Sequence, residues 1–222
     1  FAYRNASKNK GLDELTFVPV AGDLLYQPKP QLTSSHLCYL LHQAINGNDE
    51  ALALGTAAAY IPKSIPDSDI GVIKKYFECF ANYRKIFVKG EDGSPLIDRL
   101  DTIVMSVGSS AADHVDPWLD DVVNVADIDR ETLAEYTSGD VAGFFLPSPG
   151  LSTANKAKVN KINDRWTGIT QDHIRACAKK AASSIIEARQ SPSAKHLSSV
   201  CPGVIVLAAG ERKADAVRAC AT

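Results

Sequence analysis

The sequence lacks the long apolar runs of membrane proteins and the biased composition of disordered or fibrous chains. Its longest unbroken apolar stretch extends only from Val204 to Ala209, whereas a membrane-spanning helix needs about 20 apolar residues. Hydrophobic residues make up 45% and charged residues 23% of the 222 positions, which is typical of globular proteins. We therefore predict a single domain over residues 1–222, with no membrane among its partners.

Cysteine is present, but not in the spacing that is typical of disulfide frameworks or metal sites. The five cysteines are odd in number, far apart and without a Cys-x-x-Cys pair. The sequence thus indicates neither a disulfide framework nor a zinc site. This usage favours a reducing compartment, so we predict a cytoplasmic protein that needs no metal and no cofactor.

Signatures of several enzyme classes are missing as well. Neither Gly-x-x-x-x-Gly-Lys-Ser/Thr nor Gly-x-Gly-x-x-Gly occurs, which argues against a kinase and against a dehydrogenase. There is no Gly-x-Ser-x-Gly elbow, and Ser109 and Ser110 have no identifiable base, which argues against a hydrolase.

The net charge of −2 hides an uneven distribution along the chain. Residues 1–150 carry 12 Lys+Arg against 21 Asp+Glu, a charge of −9, and residues 151–222 carry 12 against 5, a charge of +7. A basic segment can mark a nucleic-acid surface. Lys156, Lys158 and Lys161, however, lie in a polar stretch without aromatic residues between them, which is more typical of a solvated loop.

Short apolar runs alternate with helical patterns, which predicts an α/β fold with a mostly parallel sheet and helices on both faces. Helical spacing of apolar residues predicts helices near 37–45, 70–81, 173–188 and 213–221. The polar stretches 147–163 and 190–199 are interpreted as surface insertions. The apolar runs have the character of strands buried on both faces, and they are Leu15–Val20, Ala51–Leu54, Lys85–Val88, Thr102–Val107, Val141–Leu146 and Val204–Ala209.

Residues next to the ends of these runs are the candidate ligand contacts, because open parallel sheets bind ligands beyond the carboxyl ends of their strands. The candidates are Gly22, Ser109, Asp140, Gly210 and Lys213. A glycine turn, a new helix and a lysine after the last run would suit a phosphate group. An ordinary strand-to-helix turn with Lys213 in solvent is an equally open interpretation.

A second cluster follows the run Thr102–Val107 and contains Asp113, His114 and Asp116. A carboxylate that abstracts a proton and a histidine that assists ring opening are the groups that sugar isomerisation requires. Residues of these types on a short loop are more often solvated or capping than metal ligands. We therefore keep Asp113 and His114 as an alternative acid and base.

Five strand-end segments, taken in order, resemble the effector-binding domain of SorC-type sugar-responsive transcription regulators. They are ELTFVPVAGDL (14–24), LDTIVMSVGSS (100–110), SGDVAGFFLPSPG (138–150), NDRWTGITQDHIRA (163–176) and PGVIVLAAGERKADAVRA (202–219). The resemblance implies a Rossmann-like fold of the type found in glucosamine-6-phosphate deaminase and ribose-5-phosphate isomerase. It also implies a phosphorylated sugar as the effector and no catalysis.

The same resemblance suggests roles for individual residues. Asp140 and Lys213 would contact the effector, while a second set would line the same cleft, namely Gly22, Ser109 and Gly210. Arg165 matches an arginine of the family, either as an effector contact or as a structural residue.

The resemblance further implies parts that this chain does not contain. These are an upstream helix-turn-helix domain, a first strand with a phosphate loop, and a final strand and helix. We therefore expect contact with DNA only through a domain absent from this chain, and a homo-oligomeric assembly. Two alternatives stay open: a phosphosugar isomerase or deaminase on the same fold that uses Asp113 and His114, and a relative that serves only as a subunit or scaffold.

Overall fold

The computed structural model describes residues 16–21, 33–46, 58–90, 92–114, 117–190, 203–207 and 217. Its helices are α1 (Ser34–Asn46), α2 (Ile70–Phe77), α3 (Ala81–Phe87), α4 (Pro117–Ala126), α5 (Arg130–Tyr136), α6 (Thr153–Asn163) and α7 (Gln171–Gln190). Its strands are β1 (Thr102–Gly108), β2 (Thr137–Val141), β3 (Phe144–Pro147) and β4 (Gly203–Leu207). The predicted α/β class is confirmed.

The sheet in the described residues is mixed, which corrects the prediction of a mostly parallel sheet. Its strand order is β3-β2-β1-β4. Strands β1 and β4 are parallel, whereas β1 pairs antiparallel with β2, and β2 pairs antiparallel with β3. The Rossmann-like part of the prediction therefore rests on the β1 and β4 pair alone.

The antiparallel part arises because the run Val141–Leu146 is a hairpin and not one buried strand. Ala142 and Gly143 have φ angles of 52° and 93°, and Val141 pairs directly with Phe144 across a two-residue turn. Such tight turns connect only antiparallel strands. The Asp140 carboxylate accepts a hydrogen bond from the Gly143 N–H at 3.0 Å and so stabilises the turn.

Two further apolar runs also differ from the predicted strands. Lys85–Val88 falls mostly in helix α3, where Tyr83 and Ile86 are buried at helical spacing. The described part of Leu15–Val20 contains no strand, which is consistent with Pro19 having no N–H to donate to a neighbouring strand. The run Ala51–Leu54 lies outside the described residues.

Helix α6 occupies the stretch that the sequence indicated as a lysine-rich surface insertion. Ser152 caps its start by accepting a hydrogen bond from the Asn155 N–H at 3.2 Å. Of its apolar positions, Val159 and Ile162 are fully buried. Two such residues are too few for a recognisable periodic pattern, although the prediction that its lysines face solvent is correct.

In the described part of the chain, helices cover both faces of the sheet only at the β2 and β3 hairpin. The second face of β1 and β4 is exposed at Val104, Ile205 and Leu207, which corrects the prediction that these strands are buried on both faces. The Phe145 side chain joins a core formed with α4, α5 and α6. Its neighbour Leu146 points into a second core formed with β1 and with Ile174 and Cys177 of α7. The Cys177 thiol donates to the Gly203 carbonyl at 3.6 Å, which seats α7 against β4. Within the described ranges, no helix is both long enough and apolar enough to span a bilayer.

Thr170 caps the start of α7, and His173 occupies the position at which an acidic or amide side chain usually completes such a cap. The Ile174 N–H donates to the Thr170 carbonyl at 3.2 Å, which makes Thr170 the residue that caps the helix. His173 Nδ1 accepts in return from the Thr170 N–H at 3.1 Å, a reciprocal arrangement that resembles a capping box. Burial lowers the pKa of His173, against the opposing effect of Asp98 and Asp172.

We expect this histidine to make the stability of the protein dependent on pH. In the unfolded chain His173 takes up a proton near pH 6.5, whereas in the folded protein it stays neutral to lower pH. The unfolded state therefore binds more protons, and the free energy of unfolding should fall as the pH drops below about 6.5. Urea denaturation at a series of pH values should show a weaker dependence for His173→Gln, which keeps an acceptor but does not titrate. Equal dependence in both proteins would contradict this assignment.

Candidate functional site

The carboxyl end of β1 brings together two of the predicted site residues. Gly108 lies directly opposite Asp140 in the β1 and β2 register. A Cβ atom on Gly108 would lie 1.8 Å from Asp140 Oδ1, so the carboxylate covers the bare backbone of the glycine. Ser109 is the next residue of the chain, which puts Ser109 and Asp140 at one edge of the sheet.

The two serines after Gly108 are buried and form part of a turn. Ser109 Oγ accepts from the Ala111 N–H at 3.3 Å. Ser110 Oγ donates to the Thr137 carbonyl at 3.2 Å and ties the turn to the start of β2. The Ser109 hydroxyl group therefore stabilises the turn next to Asp140.

Strand β4 ends at this same edge of the sheet. It runs parallel to β1, and its last residue, Leu207, pairs with Ser106, two residues before Gly108. The predicted site residues Gly210 and Lys213 follow β4 in the sequence and lie outside the described residues, as does Gly22. Only Ser109 and Asp140 of the five predicted contacts can therefore be located.

The alternative acid and base lie in the turn that follows Ser110. Asp113 is exposed and His114 is half-buried. The His114 N–H donates to the Ala111 carbonyl at 2.9 Å, while its own carbonyl accepts from Arg130. Asp116 lies outside the described residues, and among those described no three His, Cys, Asp or Glu side chains are grouped as metal ligands.

Arg165 makes structural contacts, which favours the structural one of the two roles that the family resemblance left open. Its side chain is 3% exposed, and its guanidinium donates to the backbone carbonyls of Ile61, Pro62 and Ile65 at 2.7 to 3.3 Å. It also contacts the Asp67 carboxylate. The hydrogen bond from Arg165 lowers the pKa of Asp67, and a second one from Lys161 acts in the same direction. Arg165 therefore fixes residues 61–67 to the end of α6.

The residues around Arg165 connect three parts of the fold. The Asn163 side chain accepts from the Phe145 N–H at 2.8 Å and donates to the Phe145 carbonyl at 2.9 Å. Thr167 Oγ1 makes a matching pair of bonds to the backbone of Ala59 at 2.7 and 2.9 Å. The Trp166 ring lies against Gly168, where a Cβ would come within 2.4 Å of it. This segment, which carries much of the family resemblance, is thus largely structural.

Sequence reasoning missed Arg130, whose guanidinium contacts the turn after β1. Nothing in the local sequence marks it, because its importance arises from the approach of α5 to that turn. Comparison of the chain with protein families, curated proteins and solved structures gives no significant match.

Proposed function

We propose that this chain is a ligand-sensing domain that binds a phosphorylated sugar at the sheet edge formed by the ends of β1 and β4. The observation that supports this proposal is the pairing of Gly108 with Asp140. A carboxylate over bare backbone offers acceptors for sugar hydroxyl groups. The absence of a side chain at Gly108 leaves the space that this carboxylate occupies.

The segment that follows β4 would supply one of the partners of the phosphate at the same edge. Because β4 is parallel to β1, the segment that contains Gly210 and Lys213 follows the sheet at its carboxyl end. A lysine and the N–H groups of a new helix are suitable partners for a phosphate. In the family that the sequence resembles, such a domain senses a sugar phosphate for a regulator and has no catalytic role.

Thermal unfolding in the presence of hexose and pentose phosphates tests the proposal directly. A ligand at 100 times its dissociation constant stabilises a protein by about 2.7 kcal/mol, so the midpoint should rise with a phosphorylated sugar and change less with its unphosphorylated counterpart. Nuclear magnetic resonance of the bound sugar would detect turnover. Conversion to an isomer or loss of ammonia would favour the enzyme alternative with Asp113 and His114.

Lys213→Ala is expected to weaken binding of the sugar phosphate about tenfold to a hundredfold. Loss of a charge-assisted phosphate contact usually costs about 1.5–3 kcal/mol, and about 1.36 kcal/mol corresponds to a factor of ten. Titration calorimetry should show no change for the control Lys179→Ala, because Lys179 is an exposed residue of α7. Equal affinity of Lys213→Ala and wild type would exclude Lys213 as the phosphate ligand.

Asp140→Asn in the same titration tests the contact of Asp140 with the sugar without removing its hydrogen bond in the hairpin turn. The amide oxygen can still accept from the Gly143 N–H and keep the hairpin, while the negative charge is lost. Weaker binding with an unchanged unfolding midpoint would support Asp140 as a hydroxyl acceptor.

A further inference from the structure

Arg130 is a partly buried arginine, and one of its terminal nitrogens has no hydrogen-bond acceptor. One terminal nitrogen, Nη2, donates to the His114 carbonyl. The other, Nη1, is shielded from solvent and has no hydrogen-bond partner. A guanidinium remains charged at all physiological pH values, so an unpaired N–H in this position carries a free-energy cost.

Comparison with Arg165 shows that the fold can pair both terminal nitrogens of a buried guanidinium, although the Nε of Arg165 also has no partner among the described residues. Both terminal nitrogens of Arg165 are engaged, with three backbone carbonyls and with the carboxylate of Asp67. Arg130 has one carbonyl acceptor, and no carboxylate of the described residues forms an ion pair with it. The structure therefore leaves Arg130 without a negative counter-charge in the described part of the chain.

The location of Arg130 connects it to the candidate site. Its Nη2 donates to the carbonyl of His114, and the His114 N–H donates to the Ala111 carbonyl. The Ala111 N–H bonds Ser109 Oγ, and Ser109 follows the glycine that lies beneath Asp140. The guanidinium is thus attached to the turn that leaves the carboxyl end of β1.

We propose that Arg130 is an anion-binding residue of this site. An entering oxyanion would accept a hydrogen bond from Nη1 of Arg130. It would also replace the His114 carbonyl as the acceptor for Nη2, which gives the two parallel bonds that arginine makes with phosphate. Ala112 and Asp113 are exposed, so the turn over the guanidinium has solvent on its outer side. The inference relies on the proposed function only for the nature of the ligand, which is the phosphate-bearing sugar.

Inorganic phosphate is the probe that tests Arg130 independently of any sugar. Thermal unfolding of the full chain is compared in phosphate and in chloride at equal ionic strength, for wild type, Arg130→Met and Arg130→Lys. Arg175→Met is the control, because Arg175 is exposed on α7. Wild type and the control should be stabilised by phosphate, and Arg130→Met should be stabilised much less. Arg130→Lys should retain part of the effect, because lysine keeps the charge but cannot form the two parallel bonds.

The affinity for phosphate should fall about tenfold to a hundredfold in Arg130→Met, as for other charge-assisted contacts. If Arg130→Met fails to fold, a loss of affinity in Arg130→Lys carries the test. The inference is overturned if phosphate does not stabilise the wild type, or if it stabilises the Arg130 variants equally. If phosphate binding depends on Arg130 but no sugar phosphate binds more tightly than phosphate itself, this inference stands and the proposed function fails.

Discussion

Replacing Arg165 with methionine is expected to lower the free energy of unfolding by about 3–5 kcal/mol. Methionine retains most of the buried stem but none of the donors. The carbonyl of the buried Ile61 would lose this donor, as would those of the half-buried Ile65 and the exposed Pro62, and a buried acceptor without a partner is costly. Residues 61–67 would then lose their main attachment to the end of α6.

Urea denaturation followed by tryptophan fluorescence can measure this loss, because Trp166 adjoins Arg165 and reports on the same region. The matched control is Asp67→Asn, which weakens the ion pair but leaves the carbonyl contacts of Arg165 in place. Asp67 is largely exposed, so solvent screening should make the control much milder. Similar losses for the two variants would show that the ion pair, and not the set of carbonyl bonds, provides the stabilisation.

Asn163→Leu is expected to lower the free energy of unfolding by about 2–4 kcal/mol. Leucine is close in size to asparagine, but it leaves both the N–H and the carbonyl of Phe145 without a partner. Phe145 is fully buried, and buried backbone groups in native proteins are almost always paired. Most of the cost therefore comes from two unsatisfied polar groups and little from lost packing.

Two further variants in the same denaturation assay test that explanation. Asn163→Asp keeps the acceptor for the Phe145 N–H but removes the donor and directs a carboxylate oxygen towards the Phe145 carbonyl, so it should be destabilising as well. Asn160→Leu changes an exposed residue of the same helix and should alter stability by less than about 0.5 kcal/mol. A stable Asn163→Leu protein would contradict the role given to the amide.

Elements with strong local patterns were predictable from the sequence. Helix α7 and strands β1 and β4 follow from apolar periodicity or from continuous apolar runs. The hairpin was not predictable in this way, because its turn depends on positive φ angles at Ala142 and Gly143, and alanine rarely adopts them. Helix α6 was missed because Val159 and Ile162 are its only buried apolar residues. In both cases tertiary contacts outweigh the local pattern.

For the site, the sequence located strand ends but not the groups that approach them. Ser109 and Asp140 both lie at the end of β1 in the structure, and their contact with a ligand stays a prediction. The contact of Arg130 with His114 joins residues on separate elements, and no spacing in the sequence encodes it. The structural role of Arg165 likewise depends on carbonyls about a hundred positions away along the chain.

The amide of Asn163 has a further consequence for how molecules of this protein meet one another. Strand β3 is the outer strand of the described sheet, and an outer strand offers its unpaired backbone groups to the strands of other molecules. Asn163 occupies both backbone groups of Phe145, and β3 is only four residues long and ends at Pro147, which has no N–H. One side chain of α6 therefore closes the place where intermolecular sheet growth and aggregation would begin.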